Sequence, residues 1–218
     1  MATQTLPIEG TSQPSSLSIA SQTLSALRML LVLTVILGVI YPLLMTLVGQ
    51  IAFPVQSNGS LETVNSVIVG SSLIGQTNND PRYFQGRPSA VNAMDGSYFK
   101  NADDKSIGSS GASNLSPDSA ALQAAEAQRA TDFRTFNKLA ADAVVPPDML
   151  FASGSGLDPH ISPEAAALQV ARIAEARGIA VDKVQALVTA ATEGPQFGIF
   201  GQPRVNVLEL NLALDRAS

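Results

Sequence analysis

The most pronounced pattern along the chain is an uninterrupted apolar run from Met29 to Gly49, which contains no charged side chain. As an α-helix these 21 residues would extend over about 31 Å, which matches the hydrocarbon thickness of a bilayer. A cleaved signal peptide has a shorter apolar stretch followed by a small-residue cleavage site, and a buried soluble helix has a polar stripe. The pattern therefore predicts one N-terminal transmembrane helix, which we place at 28–50.

Beyond this helix the pattern changes to short strands and loops. Asn58-Gly59 precedes the β-branched residues Val64, Val67, Ile68 and Val69, which predicts a turn followed by one or two short strands. Gly, Pro, Asn, Asp and Ser then dominate the segment 78–115, and this composition predicts long ordered loops. Loops of this length in a compact domain usually bind something.

Helical periodicity returns in the C-terminal half. A first helix is predicted to begin with Ser116 as its cap and Pro117 at its first position, because apolar and aromatic residues recur at spacings of three and four as far as Ala140. A second helix is predicted from Ser162 to Gly178, and a third from Asp182 to Gly194.

The last segment combines two patterns. Apolar residues partly alternate from Val205 onwards, as in a strand, whereas Asn206 and Glu209 have the spacing of a capping box. We expect a short strand at Arg204–Asn206 that continues into a helix. The fold class predicted from all these elements is a mixed α/β (α+β) extracytoplasmic domain with a single N-terminal transmembrane helix.

The orientation of the helix depends on one residue. Arg28 adjoins its N-terminal end, and the first basic residue beyond it is Arg82. The positive-inside rule therefore predicts a cytoplasmic N-terminus and a single-pass protein of the cell (inner) membrane. The resulting organisation is a disordered cytoplasmic tail at 1–27, the transmembrane helix at 28–50 and an extracytoplasmic domain at 51–218.

Composition and charge narrow the function classes. Of the 13 Lys and Arg residues, all but Arg28 lie in the predicted external part, and so do all but Glu9 of the 18 Asp and Glu residues. The external part is therefore about five units negative. It has no basic run interleaved with aromatic residues, which disfavours nucleic-acid binding. The chain contains no cysteine, a composition that fits an oxidising compartment.

Candidate catalytic motifs are weak. The Gly-rich stretch 107–115 lacks the Gly-Lys-Ser/Thr ending of a P-loop, and 104–108 matches the phosphorylation motif of P-type ATPases only superficially. The chain has one histidine and no cysteine, and apart from Asp103-Asp104 its carboxylates form no close group with the spacing of metal ligands. The sequence therefore offers no metal site. We therefore predict neither a catalytic residue nor a metal ligand in this chain.

The single histidine, His160, lies in "SGSGLDPHISPEA" (153–165). Neither Ser153 nor Ser155 stands in a Gly-x-Ser-x-Gly motif, and we interpret the segment as a tight turn in which His160 braces the backbone and Ser162 caps a helix. Two alternatives stay open, a membrane-anchored external enzyme centred on Asp158 and His160 and a binding module that works alone.

Small and helix-perturbing residues recur along the predicted membrane helix. On a regular α-helix their spacings of four, four, four and three confine them to an arc of about 120°, where small residues allow a neighbouring helix to approach closely. This face is predicted to pack against partner helices. It consists of Thr34, Gly38, Pro42, Thr46 and Gly49.

Five motifs, in order after one membrane helix, resemble the C subunit of the Kdp potassium-transporting P-type ATPase. The resemblance covers nearly all the chain except its first twenty-odd residues, although Ala112 and Ser116 stand where the family commonly has glycine. The motifs are "VGSSLIGQ" (69–76), "YFQGRPSA" (83–90), "GASNLSP" (111–117), "ASGSGLDPHISPEAA" (152–166) and "TEGPQFGIFGQPRVNVLELNLALD" (192–215).

The resemblance implies an accessory, non-catalytic subunit of a high-affinity, ATP-driven potassium uptake complex. Its partners would be the potassium-selecting and ATP-hydrolysing subunits (Kdp A, B and F) and the lipid bilayer, with ATP acting in the complex and no cofactor assigned to this chain. The family is described as a catalytic chaperone that raises the ATP affinity of the B subunit. An external domain could do so only by conformational coupling through the membrane helices. Candidate interface or structural residues are Gly111, Ser113, Asn114, Ser153, Gly154, Ser155, Asp158 and His160.

Overall fold

A computed structural model describes residues 18–91 and 110–217 of the chain. The chain divides into two compact units, Met1–Ser57 and Asn58–Ser218. The first unit contains the apolar helix and the second a mixed helix-and-sheet domain, as predicted for the fold class.

The first unit is dominated by a continuous helix from Ile19 to Ala52, which is 34 residues long and contains an 18-residue window with a mean hydropathy of 2.5. It consists of α1 (Ile19–Val35), a π-helical segment (Ile36–Ile40) and α2 (Tyr41–Ala52), and a short helix α3 (Pro54–Ser57) follows. None of its residues is buried within the unit, and its length and composition suffice to cross a membrane.

The helix begins earlier than the predicted start at residue 28. Ser18 caps it, since the Ser18 side chain accepts a hydrogen bond from the Ser21 N–H at 3.3 Å. No Gly or Pro interrupts 19–27, so the helix extends through a stretch that we expected to belong to the disordered tail. The rest of that tail, 1–17, lies outside the described residues.

The second unit begins with a hairpin of β1 (Leu61–Val64) and β2 (Val67–Ser71), which confirms the predicted strands. The two residues between the strands, Asn65 and Ser66, have φ values of 51° and 65°, as a two-residue type I′ turn requires. The described part of the predicted loop region, 78–91 and 110–115, contains neither helix nor strand.

A three-stranded antiparallel sheet lies in the C-terminal half, with the strand order β3-β5-β4. The strands are β3 (His160–Ile161), β4 (Thr192–Glu193) and β5 (Arg204–Asn206), and β5 continues into α8 (Val207–Arg216), as predicted. Asn206 caps α8 by accepting the Glu209 N–H at 3.2 Å, and its amide donates to the Ser72 carbonyl at 2.7 Å. The capping residue therefore also connects the hairpin segment to the sheet.

The described part of the second unit, 58–91 and 110–217, contains four further helices: α4 (Ala120–Phe136), α5 (Pro163–Ala167), α6 (Val170–Arg177) and α7 (Val181–Ala190), with a short 3-10 helix at Pro147–Met149 before β3. The predicted caps Ser162 and Gly178 are confirmed, since Ser162 accepts the Ala165 N–H and Gly178 adopts a left-handed conformation.

The predicted start and end of the first of these helices were wrong. Ser119 caps α4 by accepting the Leu122 N–H at 3.2 Å, whereas the Ser116 carbonyl and hydroxyl bind Ser119 and Asp118 in a preceding turn. The helix ends at Phe136 because Lys138 has a φ of 55°, which an α-helix does not permit.

The hydrophobic core is formed where α5, α6, α7 and α8 meet the three-stranded sheet, with Phe133 of α4 and Phe84 of the preceding loop packed into it. Its largest completely buried apolar side chains are Phe84, Ile161, Ile173, Leu210, Leu214, Val184, Val188 and Val205. Both the loop and the sheet that carry the candidate site residues are therefore anchored to one core.

Candidate functional site

The structure brings together two of the sequence motifs that supplied candidate site residues. The Gly111 N–H donates to the Ser155 carbonyl at 2.8 Å, and the Ser110 hydroxyl donates to the same oxygen at 3.0 Å. On the other side, the Ser89 hydroxyl donates to the Gly156 carbonyl at 2.7 Å. Three segments that are distant in sequence therefore meet at Ser155-Gly156.

Gly156 is required for this close approach. Its φ of 69° lies in the left-handed region, and a Cβ atom there would lie 2.6 Å from the Gly111 carbonyl oxygen and 2.9 Å from a methyl group of Val91. Gly154, by contrast, has no atom within 4 Å of the corresponding position. Of the two glycines in this motif, only Gly156 is fixed by its backbone and its neighbours.

Asp158 is the centre of the polar contacts next to this meeting point. Its Oδ1 accepts the His160 backbone N–H at 3.0 Å and lies 3.3 Å from His160 Nδ1, while its Oδ2 accepts from Arg87 Nη1 at 2.7 Å. The backbone of the turn is thus braced by the Asp158 carboxylate, whereas the sequence interpretation assigned the brace to the His160 side chain. The His160 ring adds a contact to the same carboxylate.

The candidate serines interact with each other and with the backbone. The Ser153 and Ser155 hydroxyl oxygens are 3.4 Å apart, and the Ser155 oxygen accepts the Leu157 N–H at 3.1 Å. A serine hydrolase needs a hydrogen bond between its nucleophile and the His160 ring, and within the described residues the hydrogen-bond partner of that ring is Asp158. This arrangement supports a structural role for the segment.

Ser113 and Asn114 lie on an exposed loop that follows Gly111. The Ser113 hydroxyl accepts the Leu115 N–H at 3.5 Å, and Asn114 has a φ of 53°, a conformation that Asn tolerates better than most residues. Neither side chain contacts Asp158 or His160 in the described structure. The Asp103-Asp104 pair, the 104–108 motif and the start of the Gly-rich stretch lie outside the described residues.

Arg87 lies between two surface clefts and was not found by sequence reasoning. One cleft, of about 610 Å³, is lined by Arg87, Asp158 and the Ser153–Ser155 segment. The other, of about 840 Å³, lies along α4 and includes Phe133 and Phe136. Arg87 Nη2 also donates to the Phe151 carbonyl at 3.3 Å, so this residue connects the loop of 83–90 to the turn that contains Asp158.

A second arginine, Arg172 of α6, fixes the loop from which Arg87 projects. Arg172 is buried and donates to the Tyr83 carbonyl at 3.0 Å, to the Pro81 carbonyl, to Asn137 Oδ1 at 2.8 Å and to Gln169 Oε1 at 3.0 Å. Burial lowers the pKa of its guanidinium to about 10, which leaves it charged at neutral pH. Among the described residues no carboxylate forms a salt bridge with Arg172; neutral oxygens accept its hydrogen bonds, and the charge of Asp80 acts on it from a longer distance and opposes the lowering of its pKa.

Glu209, near the start of α8, is influenced by two other carboxylates. Burial raises the pKa of Glu209, and the nearby charges of Glu62 and Glu193 raise it further. The charge of His160 has the opposite effect and lowers the pKa of Glu209. Glu209 of α8 is thus influenced by carboxylates of the hairpin and of β4 and by the histidine of β3.

The face predicted on the membrane helix is altered by the π-helical segment. Pro42 has no N–H, and in a regular α-helix its ring would crowd the carbonyl of Gly38; here the π segment at Ile36–Ile40 precedes this position. A π turn contains more residues than an α turn, so the arc of about 120° calculated for a regular α-helix does not apply to Thr34, Gly38, Pro42, Thr46 and Gly49. The Thr46 hydroxyl donates to the Pro42 carbonyl at 2.8 Å.

We expect His160→Gln to lower the free energy of unfolding of the second unit by about 1 kcal/mol, the scale of one lost hydrogen bond, because the Asp158 brace on the backbone remains. Asp158→Ala should cost more, about 2 kcal/mol, since it removes the partners of Arg87 and of the His160 N–H. Denaturant unfolding of the full chain in detergent measures both. A His160→Gln chain that is fully stable but has lost its activity in cells would indicate a chemical role instead.

Comparisons with known proteins cover the membrane helix and the domain together. Residues 23–216 match the family model described as the K⁺-transporting ATPase, c chain. A potassium-transporting ATPase KdpC subunit of Methylococcus capsulatus is 52% identical over 190 residues, which cover 87% of this chain and 95% of the relative. The KdpC subunit of Synechocystis sp. is 48% identical over 195 residues, with 87% and 95% covered.

These matches confirm the resemblance that the five motifs indicated. They include the apolar helix, the turn around Asp158 and the C-terminal strand and helix, so the two units described above belong to one family architecture. The chain is therefore a member of the KdpC family, the C chains of potassium-transporting ATPases.

Proposed function

We propose that this chain is the accessory, non-catalytic subunit of an ATP-driven potassium uptake complex. The observation that carries the proposal is the family match over 23–216, which spans both the anchor and the domain. The contacts around Asp158 support it, because they hold segments of the chain together instead of aligning a nucleophile with a base. The partners are then the potassium-selecting and ATP-hydrolysing subunits of the same complex.

The proposed orientation places the N-terminus in the cytoplasm and the second unit outside the cell (inner) membrane. Arg28 supports this, because it is the only Lys or Arg on the N-terminal side of the apolar run and no basic residue follows before Arg82. Domain 58–217 then contacts the extracytoplasmic faces of the other subunits, and the helix contacts their membrane helices.

A topological reporter tests the orientation directly. A reporter enzyme that is active only outside the cytoplasm should be active when fused after Ser218 and inactive when fused at the N-terminus. Because Arg28 is the main determinant, Arg28→Glu should increase the inverted fraction, and Arg28→Lys should not. The reverse pattern of reporter activity would contradict the orientation.

We further propose that any effect on ATP affinity in the complex is indirect. A domain outside the membrane cannot contact cytoplasmic ATP, so its influence has to pass through packed membrane helices as a coupling free energy. The Ile19–Ala52 helix is the element of this chain that could transmit it, since its apolar side chains are exposed along its whole length. The Pro42 region, with its π-helical segment, is the irregular part of that helix.

Co-purification in mild detergent tests the assembly. The wild-type chain should bring down the larger subunits of the potassium-transporting ATPase, identified by mass spectrometry. Gly38→Leu should reduce their recovery, because a larger side chain keeps neighbouring helices from approaching closely. The helix itself should tolerate the substitution, since the nearest atom to a Cβ at Gly38 is Thr34 Cγ2 at 3.9 Å. Leu33→Ala is the matched control. A wild-type chain that purifies alone would contradict the proposed function.

A further inference from the structure

The loop between β4 and β5 carries an apolar tip, formed by Phe197, Ile199 and Phe200. Their exposed fractions are 92%, 75% and 61%. An aromatic side chain can bury about 150–250 Å² at a contact, and a contiguous exposed apolar patch marks an interaction site in many proteins. Within this unit most of the surface of these three side chains is left unburied, so it does not stabilise the free chain.

The tip is nevertheless held in one conformation by its own backbone. Gln196 and Phe200 exchange two backbone hydrogen bonds, at 2.8 and 3.0 Å, and the Gly198 N–H donates to the Pro195 carbonyl at 3.0 Å. Phe197 has a φ of 54°, a left-handed conformation that bulky residues rarely adopt. Gly or Asn would suit this position better, so a phenylalanine that is both strained and exposed indicates a contact outside the chain.

The charges around the tip distinguish a protein partner from a lipid surface. Residues 194–203 contain no charged side chain, and Arg204 beside them pairs with Glu193 at 2.8 Å. The whole chain carries a formal net charge of −5. Surfaces that lie in a membrane interface usually add Lys and Arg to bind anionic headgroups, which this tip lacks. A loop with a fixed backbone conformation is also suited to a protein pocket of defined shape, whereas insertion into fluid lipid does not require a fixed loop conformation.

We propose that Phe197, Ile199 and Phe200 insert into an apolar pocket on the extracytoplasmic surface of another protein subunit of the ATPase. The inference rests on the proposed function, which supplies the partner and the side of the membrane. The pocket that fits is concave and lined by aliphatic or aromatic side chains, since the projecting tip offers two rings and one branched aliphatic group and no charge. Aromatic anchors of this kind are enriched at the centres of protein interfaces.

Photocrosslinking in intact membranes tests the contact. A benzophenone amino acid is introduced at Phe197 in the full chain, and separately at Val144, which is 85% exposed and lies far along the chain from the tip. The Phe197 position is expected to give a discrete adduct with another subunit of the ATPase, identified by mass spectrometry, at a yield at least tenfold above the Val144 position. Adducts with lipid alone, or none above the Val144 level, overturn the inference.

Substitutions give a second measurement. Phe197→Asn keeps a residue that tolerates the left-handed conformation, and combined with Phe200→Ser it should lower recovery of the partner subunits at least tenfold while the chain stays folded. Val144→Ser is the control and should leave recovery unchanged. Wild-type recovery from the double variant overturns the inference and leaves the proposed function intact, whereas a wild-type chain that recovers no subunit contradicts both.

Discussion

Replacing Arg172 by methionine is expected to lower the free energy of unfolding of the second unit by roughly 3–5 kcal/mol, because several buried hydrogen bonds lose their donor at once. The carbonyls of Pro81 and Tyr83 and the buried side chains of Asn137 and Gln169 would lose this donor. Denaturant unfolding of the full chain in detergent, followed by far-UV circular dichroism, measures the loss.

Two comparison variants make this prediction specific. Arg172→Lys keeps the charge but cannot reach four acceptors with a planar fork, so most of the loss should remain. Glu175 lies on the same helix as Arg172, and Glu175→Gln removes an exposed salt bridge to Lys138. This substitution should change the free energy of unfolding by less than about 1 kcal/mol. A fully stable Arg172→Met chain would show that the loop from Pro81 to Tyr83 is held by other contacts.

The elements that the sequence predicted correctly depend on local signals. Ser162 and Asn206 cap helices through N–H groups three residues further on, and Gly178 ends a helix because it adopts a left-handed conformation without steric cost. Each of these interactions lies within one turn of the residue concerned. The apolar run of the membrane helix is likewise a property of consecutive residues.

The elements that the sequence did not predict depend on contacts between distant segments. The predicted helix from Ser162 to Gly178 is divided into α5 and α6 near Gln169, whose buried amide binds the backbone N–H and carbonyl of Gln85 at 2.7 and 3.1 Å. Periodicity along the chain carries no information about a partner 84 residues away. The cap at Ser119 was missed for a different reason, since Ser116 and Ser119 are equally plausible from composition.

The same distinction holds at the candidate site. Asp158 and His160 are neighbours in sequence, and their contact could be anticipated from the motif. Arg87 reaches Asp158 across 71 residues, and the role of Arg172 depends on carbonyls about 90 residues earlier. Arg172 lies in an alanine-rich helical pattern that looks solvent-exposed in sequence, and Arg87 lies in a loop without a recognisable catalytic motif, so neither arginine gave a local signal of its role.

Gly156→Ala is expected to destabilise the second unit by about 2–4 kcal/mol, because a left-handed alanine is strained and its methyl group would collide with backbone. The Cβ would lie 2.6 Å from the Gly111 carbonyl oxygen, so the two segments joined at Ser155-Gly156 would have to separate. The hydrogen bonds from Gly111 to Ser155 and from Ser89 to Gly156 would weaken with them. Denaturant unfolding measures the stability, and hydrogen exchange of the Gly111 amide measures the local opening.

Gly154→Ala is the matched control, two residues away in the same motif. Gly154 does not adopt a left-handed φ, and nothing lies within 4 Å of the added methyl group. Alanine there restricts the unfolded chain, so the variant should be as stable as wild type or more stable by about 0.5 kcal/mol. If the segments joined at Gly156 also position the turn around Asp158, Gly156→Ala should reduce recovery of the partner subunits while Gly154→Ala does not. Equal effects of the two substitutions would show that this close approach does not hold the site together.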